Sequence, residues 1–159
     1  MKDSSFIRGN VPMTKEEVRT VSIAKLQLAK ADKFLDIGTG TGSIAIEAAL
    51  LHPNLEVTTI DSNQTAVAVL KQNLAKFQLT NIHSILGKAP IELEDKFDAI
   101  FVGGTGGNMA EILAWSFQLL KPDGRLVLNF ILLENALRAM EWLETNHHSF
   151  QTIQMHVSQ

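Results

Sequence analysis

The stretch KFLDIGTGTG, residues 33–42, decides the fold of this chain. A short apolar run ends at Ile37 and leads into three glycines at alternate positions. Residues 43–51, SIAIEAALL, are strong helix formers with apolar side chains at helical spacing. Strand, tight glycine turn and helix form the usual context of a nucleotide-binding loop, because glycine lets a ligand approach the main chain and the new helix presents free N–H groups.

The spacing of the glycines separates two kinds of nucleotide-binding loop. The dinucleotide fingerprint G-x-G-x-x-G requires a third glycine at position 43, which is serine here. The pattern present is D-x-G-x-G-x-G, which resembles the loop of class I methyltransferases that bind S-adenosylmethionine (SAM). SAM carries an ammonium and a sulfonium, so an acidic residue beside the loop suits its charge. We expect SAM as cofactor, S-adenosylhomocysteine (SAH) as its product, and cofactor contacts from Asp36, Gly38, Thr39, Gly40, Thr41 and Gly42.

The length and composition of the chain indicate one globular domain. The chain has 159 residues, of which 45% are apolar and 19% charged, so we expect a single domain over 1–159 with an N-terminal capping segment and helix over about 1–30. We see no apolar run of the roughly 20 residues that span a membrane, and no apolar core of a secretory signal. A net charge of −3 argues against a nucleic-acid partner. The lack of cysteine fits a cytoplasmic location, and the histidines have no ligand spacing, so we predict no metal.

Strands and helices alternate along the chain. Helices are predicted at about 15–30, 43–52, 63–77, 109–120 and 133–146, and strands at 34–37, 55–60, 82–86, 97–102, 125–131 and 150–157. Thr14 and Glu17 have the spacing of a capping box, so the first helix is expected to begin after Thr14. The alternation predicts an α/β fold, a Rossmann-like, doubly wound, mostly parallel sheet with helices on both faces.

Two further places along the chain favour a ligand site. Asp61 ends the second predicted strand, where a carboxylate can accept both ribose hydroxyls of an adenosine. Four glycines within five residues follow the fourth strand, and they suit a bulky ligand lying against the backbone. We expect the substrate side of the site to include Gly103, Gly104, Thr105, Gly106 and Gly107.

Four segments together resemble one enzyme family. They are PMTKEEVR at 12–19, GKAP at 87–90, FVGGTGG at 101–107, and GRLVLN at 124–129 with LE at 133–134. They resemble the decarboxylating precorrin methyltransferases of cobalamin biosynthesis (the CbiT family, which also forms the C-terminal half of CobL). The resemblance spans roughly residues 7–145.

The resemblance implies an activity and a set of residues. The family methylates carbon-15 of cobalt-precorrin-6B with SAM and removes carbon dioxide from the carbon-12 acetate, giving cobalt-precorrin-7. By resemblance, Thr14 and Ala89 join the cofactor contacts, Ala89 beside the adenine, and Asn129 and Glu134 join the substrate side. Because the tetrapyrrole partner bears many carboxylates, we expect cations around it, with candidates Arg8, Lys15 and Arg19.

The resemblance also implies a homo-oligomer, since members of the family form tetramers. Members of the family usually have one more strand after the point at which this sequence stops, so we expect a C-terminal edge shorter than usual. A bare edge strand itself favours self-association.

Several other functions remain compatible with these residues. Another small-molecule or RNA methyltransferase shares the same loop, and a non-catalytic SAM-binding module also fits. An ordinary glycine-rich turn and a nicotinamide dehydrogenase are more distant alternatives. The sequence lacks the Asn/Asp-Pro-Pro-aromatic motif of amino-methylating DNA enzymes and the cysteine nucleophile of carbon-5 pyrimidine enzymes.

Overall fold

The computed structural model, which describes residues 1–159, has five parallel strands and five α-helices that alternate except between the third and fourth strands, which a loop joins directly. The strands are β1 (Lys33–Ile37), β2 (Glu56–Asp61), β3 (Ile82–Leu86), β4 (Phe97–Val102) and β5 (Leu120–Leu128). The helices are α1 (Glu16–Leu26), α2 (Ser43–Leu51), α3 (Gln64–Lys76), α4 (Met109–Leu119) and α5 (Leu133–Thr145). The predicted α/β class is confirmed.

The strand order is β3-β2-β1-β4-β5, and every neighbouring pair is parallel. The chain therefore winds outward from β1 to β3 and then returns to the other side of β1. In such a sheet the switch point lies between β1 and β4, and ligands bind in the crevice at the carboxyl ends of these strands. Two glycine-rich segments open at this edge. They are the first glycine loop after β1, residues 38–42, and the second glycine segment after β4, residues 103–107.

Helices cover both faces of the sheet, as predicted. On one face, Leu26 of α1 and Ala45 of α2 pack with Phe101 of β4. On the other face, Ile112 of α4 packs with Leu35 of β1. The two central strands are thus buried on both sides, which explains their nearly continuous apolar sequences.

The segment before α1 packs against α2 and α3. Phe6 contacts Ile46 of α2 and Leu70 of α3 in one small apolar cluster. Val11 lies in a second cluster with two residues of α3, Ala66 and Val69. This packing holds residues 1–14 beside the start of α2, where the first glycine loop ends.

The start and end of α1 differ from the prediction. The N-cap is Lys15, not Thr14, and it forms no side-chain cap, so the expected capping box is wrong. The Thr14 carbonyl instead accepts a hydrogen bond from Arg19. The α-helix ends at Leu26 rather than near residue 30, because Gln27 has a left-handed backbone with φ of 51° and a 3₁₀ turn follows.

The prediction of a final strand over 150–157 is wrong. These residues have no regular structure, and every side chain from 150 to 159 is exposed. The sheet ends at β5, and no further strand pairs with its outer edge. β5 itself spans Leu120–Leu128 instead of 125–131, with an irregular register opposite Phe97 and Ala99. None of the helices combines the length and the apolar sequence that a membrane span requires.

Candidate active site

The first glycine loop is packed between two other segments of the chain. Gly38 has φ of +70°, and a Cβ at this position would lie 2.6 Å from the amide nitrogen of Gly104. Gly40 has φ of +58°, and its Cβ would lie 2.9 Å from the carbonyl oxygen of Pro12. Only glycine fits both the backbone conformation and the available space. The loop thus lies directly between the N-terminal segment and the second glycine segment.

Asp61 points toward the first glycine loop. Its Oδ2 accepts a hydrogen bond from the Gly40 N–H at 2.8 Å, and its Oδ1 accepts one from the Asn63 N–H at 2.8 Å. The carboxylate is half-buried, and each oxygen retains further acceptor capacity. The structure places Asp61 in the crevice at the end of β2, as predicted, and the ribose contact stays a prediction.

Asp36 is buried at the end of β1, with 1% of its surface exposed. The Thr39 hydroxyl donates to Oδ2, whereas Oδ1 has no hydrogen-bond partner. Burial raises the pKa of Asp36 to about 7, and the negative charge of Asp61 contributes in the same direction. The Thr39 hydroxyl and the nearby Ala45 N–H oppose this rise. A buried carboxyl with an unpaired oxygen can compensate the positive charge of a ligand, which fits the chemistry of SAM.

Ala89 and Asn108 connect the loops after β3 and β4. Ala89 is buried, and its carbonyl accepts a hydrogen bond from Asn108 Nδ2 at 2.9 Å. The other amide atom, Asn108 Oδ1, is buried without a partner. Ala89 therefore lies at the carboxyl edge, where the adenine is expected. No sequence pattern indicated the contact made by Asn108, which follows the second glycine segment.

The second glycine segment packs against the first glycine loop at Gly103 and Gly104 and is open on its other side. The Gly103 N–H donates to the Ile37 carbonyl at 2.9 Å, so this residue lies against β1. A Cβ on Gly104, Gly106 or Gly107 would meet no atom within 4 Å. The open part of the segment leaves main-chain groups accessible beside the crevice.

Arg19 does not serve the role that the sequence suggested. It was a candidate cation for substrate carboxylates, but its side chain is fully buried. It donates to Glu47 at 2.6 Å, to the Thr14 carbonyl at 2.6 Å and to Asp3 at 3.0 Å. These partners occupy the guanidinium, so Arg19 attaches the N-terminal segment to α2 and cannot reach a ligand.

The other two candidate cations, Arg8 and Lys15, are exposed. Arg8 donates to the Val11 carbonyl at 3.2 Å, and Lys15 lies 3.7 Å from Asp3. Their contact with the substrate stays a prediction.

Asn73 of α3 is a buried residue that the sequence analysis missed. Its Oδ1 accepts from the Ile7 N–H at 2.7 Å, and its Nδ2 donates to the Ile7 carbonyl at 2.8 Å and to the Thr41 carbonyl at 3.1 Å. The side chain therefore joins the N-terminal segment to the first glycine loop. A single asparagine within a helical sequence carries no signal of such contacts.

The remaining substrate candidates lie apart from each other. Asn129 Nδ2 donates to the Ser22 hydroxyl at 2.8 Å, which directs this amide toward α1. Glu134 lies in the first turn of α5 and pairs with Arg138 at 2.5 Å.

A pocket of about 300 Å³ lies beside the second glycine segment, and its lining residues are Thr105, Gly107, Met109, Ala110, Asn135, Arg138 and Trp142. The last three share one face of α5, and only their helical spacing indicated this in the sequence.

Comparisons with known proteins give the chain a consistent set of relatives. Residues 5–159 match the family model described as precorrin methyltransferase domain. The chain is 46% identical over 144 residues to a protein of Salmonella typhimurium named cobalt-precorrin-6B C(15)-methyltransferase (decarboxylating), covering 90% of this chain and 75% of that protein.

Solved structures agree with these relatives. The crystal structure of precorrin-6y C5,15-methyltransferase from Geobacter metallireducens has a TM-score of 0.86 and 34% identity, covering 91% of this chain and 79% of that one. A SAM-dependent methyltransferase of Geobacter sulfurreducens, solved in complex with SAH, has a TM-score of 0.65 and 26% identity, covering 79% of this chain and 51% of that one.

Proposed function

Since this chain belongs to the precorrin methyltransferase family, we propose that it methylates carbon-15 of cobalt-precorrin-6B. In the same conversion it removes the carboxyl group of the carbon-12 acetate as carbon dioxide, and the product is cobalt-precorrin-7. One structural observation supports the proposal above the others. Asp61, bonded to the Gly40 N–H, stands at the same sheet edge as the open second glycine segment.

The residues of the crevice fit the cofactor SAM. Gly38 to Gly42 would lie under it, Asp61 would accept the ribose hydroxyls, and Ala89 would border the adenine. Thr14 would add a contact from the N-terminal segment, whose Pro12 carbonyl faces Gly40. When bound, SAM supplies an electrophilic methyl group on a sulfonium, which is a good leaving group.

The protein contributes position and exclusion of water. The N-terminal segment is attached to α2 through Arg19 and to α3 through Asn73, and so covers the first glycine loop. Holding two reactants in line can lower a barrier by about 7–11 kcal/mol in favourable cases. The buried Asp36 adds negative charge close to the loop when it is ionised.

The decarboxylation needs little from the protein beyond a dry environment around the acetate. When its carbon–carbon bond breaks, carbon dioxide leaves and the electron pair passes into the conjugated ring, where a proton is then taken up. Transferring the carboxylate out of water destabilises its localised charge, which favours release of neutral carbon dioxide while the charge spreads into the ring. The open second glycine segment can approach the flat ring closely, because it carries only one side chain, that of Thr105.

The proposal is tested by turnover of cobalt-precorrin-6B with SAM labelled in its methyl group. We expect one labelled methyl in the product for each carbon dioxide released, with SAH formed in equal amount. Tight binding of SAM without any conversion of this substrate would overturn the proposal. Methylation of RNA by the same preparation would point to the alternative methyltransferase.

Self-association and location form part of the proposal. Four exposed apolar side chains follow β5, namely Ile131, Leu132, Leu133 and Leu137. Together with the unpaired outer edge of β5 they favour a homo-oligomer, as the family resemblance suggests. Light scattering after size exclusion measures the subunit number, and a monomer at micromolar concentration contradicts this part. We place the enzyme in the cytoplasm, which its lack of cysteine fits, and expect neither a nucleic-acid nor a membrane partner.

A further inference from the structure

A concave surface lies between the second glycine segment, the first turn of α4 and α5, and we call it the α5 pocket. Its volume is about 300 Å³, and its lining residues are Thr105, Gly107, Met109, Ala110, Asn135, Arg138 and Trp142. Sites for whole small molecules span roughly 300–1,000 Å³. The α5 pocket is at the lower end of that range, so it suits one side arm of a large ligand rather than a macrocycle.

Arg138 is the one ionisable residue among those that line the α5 pocket. Its only charged partner is Glu134, one helical turn earlier at 2.5 Å, and the two side chains are 66% and 70% exposed. Exposed pairs of this kind contribute little to stability. Glu134 is not part of the pocket lining, so the guanidinium can exchange this partner for a carboxylate that enters the pocket.

The walls of the α5 pocket are fixed by packing. Asn135, Arg138 and Trp142 occupy one face of α5 at helical spacing. The Trp142 ring stacks with Phe117 of α4 at 6.0 Å between centroids and with His148 at 5.7 Å. An indole held in this way presents a rigid apolar surface next to the cation.

We propose that the α5 pocket binds an acetate or propionate side arm of the tetrapyrrole substrate, with Arg138 pairing with its carboxylate. This inference rests on the proposed function for the identity of the ligand. Asn135 donates its amide to the same carboxylate, and Trp142 contacts the apolar edge of the ring. The planar guanidinium suits a carboxylate because it can donate two parallel hydrogen bonds. Thr105 and Gly107 then place the rest of the macrocycle over the second glycine segment.

The test is a binding titration with uroporphyrin III, a tetrapyrrole whose side arms are all acetates and propionates, followed by tryptophan fluorescence quenching. We expect Arg138→Ala to raise the Kd by about tenfold to a hundredfold, since a hydrogen bond to a charged group is lost. Arg138→Lys should lie between this variant and the unmodified protein. The matched control is Arg125→Ala, an exposed arginine that donates to the Lys25 carbonyl instead.

Two outcomes overturn the inference: uroporphyrin III does not bind to the unmodified protein, or its Kd stays within twofold in Arg138→Ala. The Kd for SAH should be unchanged in this variant, which separates a lost substrate contact from a damaged fold.

Turnover of cobalt-precorrin-6B distinguishes the proposed function from the proposed role of Arg138. Without turnover, but with porphyrin binding that depends on Arg138, the function fails and the inference stands. With turnover and an unchanged KM in Arg138→Ala, the inference fails and the function stands.

Discussion

At the scale of single residues, two neighbouring carboxyl groups have very different surroundings. Asp61 is half-buried and accepts two backbone hydrogen bonds, whereas Asp36 is almost fully buried and one of its oxygens has no partner. Their positions followed from the glycine motif and the strand end. The raised pKa of Asp36 did not, because it depends on how deeply the fold buries this carboxyl group.

The raised pKa of Asp36 predicts a pH dependence of SAM binding. A positively charged ligand favours the carboxylate, so binding releases a proton wherever the free protein holds Asp36 protonated. With a pKa of about 7, the Kd for SAM should fall about tenfold as the pH rises from 5.5 to 7. Calorimetry across this range measures it. Asp36→Asn should abolish the dependence, and a flat profile in the unmodified protein contradicts the role given to Asp36.

The same pKa shift predicts how stability changes with pH. The folded chain holds the Asp36 proton more tightly than the unfolded chain, in which the pKa is near 3.8. The contribution of this group to the free energy of unfolding therefore falls as the pH rises from about 4 to about 7. Urea unfolding of Asp36→Asn should lack this contribution. If the variant and the unmodified chain have parallel pH profiles, Asp36 is not protonated in the fold.

Asp61→Asn tests the ribose contact without removing the acceptor for Gly40. The amide oxygen can still accept the Gly40 N–H, but the second oxygen, which accepts the exposed Asn63 N–H, becomes an amide nitrogen that donates. We expect the Kd for SAM to rise at least tenfold, about 1.4 kcal/mol, while the melting temperature changes little. Ser62→Ala, an exposed neighbour, is the control and should bind SAM normally. Equal affinity in Asp61→Asn and the control would remove Asp61 from the site.

At the scale of elements, the N-terminal segment is held by buried polar side chains that local sequence patterns do not reveal. Arg19 and Glu47 are 28 positions apart, and Asn73 and Ile7 are 66 positions apart. The helical pattern predicted α1, but the carboxylates of the expected tetrapyrrole made Arg19 a candidate cation for the substrate, which its buried position contradicts. Similarly, Thr14 and Glu17 have the spacing of a capping box, yet the hydrogen bond from Arg19 to the Thr14 carbonyl accompanies a helix that starts one residue later.

Arg19→Met should destabilise the fold substantially. Removing the buried guanidinium leaves Glu47 with only the Met1 ammonium as a charged partner, and the loss of one member of a buried charged pair costs about 3 kcal/mol. Urea unfolding monitored by circular dichroism measures the loss. Lys15→Met is the matched control, because its pair with Asp3 is longer and exposed and should contribute less than about 1 kcal/mol. Similar losses in both variants would contradict the buried role of Arg19.

Asn73→Ala should loosen the N-terminal segment over the first glycine loop. It leaves the Ile7 and Thr41 main-chain groups without their partner, which costs about 2 kcal/mol. Hydrogen exchange should increase at residues 5–14, and the Kd for SAM should rise as the loop becomes less ordered. Gln72→Ala, at an exposed neighbouring position, should change neither quantity. Unchanged exchange at 5–14 in Asn73→Ala would show that the segment is held by other contacts.

At the scale of the whole molecule, the alternation of strands and helices predicted the parallel sheet and its helices on both faces. The predicted strand at 150–157 does not form: these residues are exposed and do not pair with the free outer edge of β5, so alternation of apolar residues alone does not show that a segment joins a sheet. The α5 pocket was equally invisible in the sequence. It forms where α5 returns beside α4, and that packing joins residues from 105 to 142.

The central claim is that SAM lies across the crevice between the first glycine loop and the end of β2. A crystal structure of the protein with SAH tests it most directly. We expect both ribose hydroxyls within about 3.2 Å of the Asp61 carboxylate, the adenine beside Ala89, and the thioether directed toward the second glycine segment. Density for SAH elsewhere on the molecule, or in this crevice with the ribose turned away from Asp61, would contradict the claim.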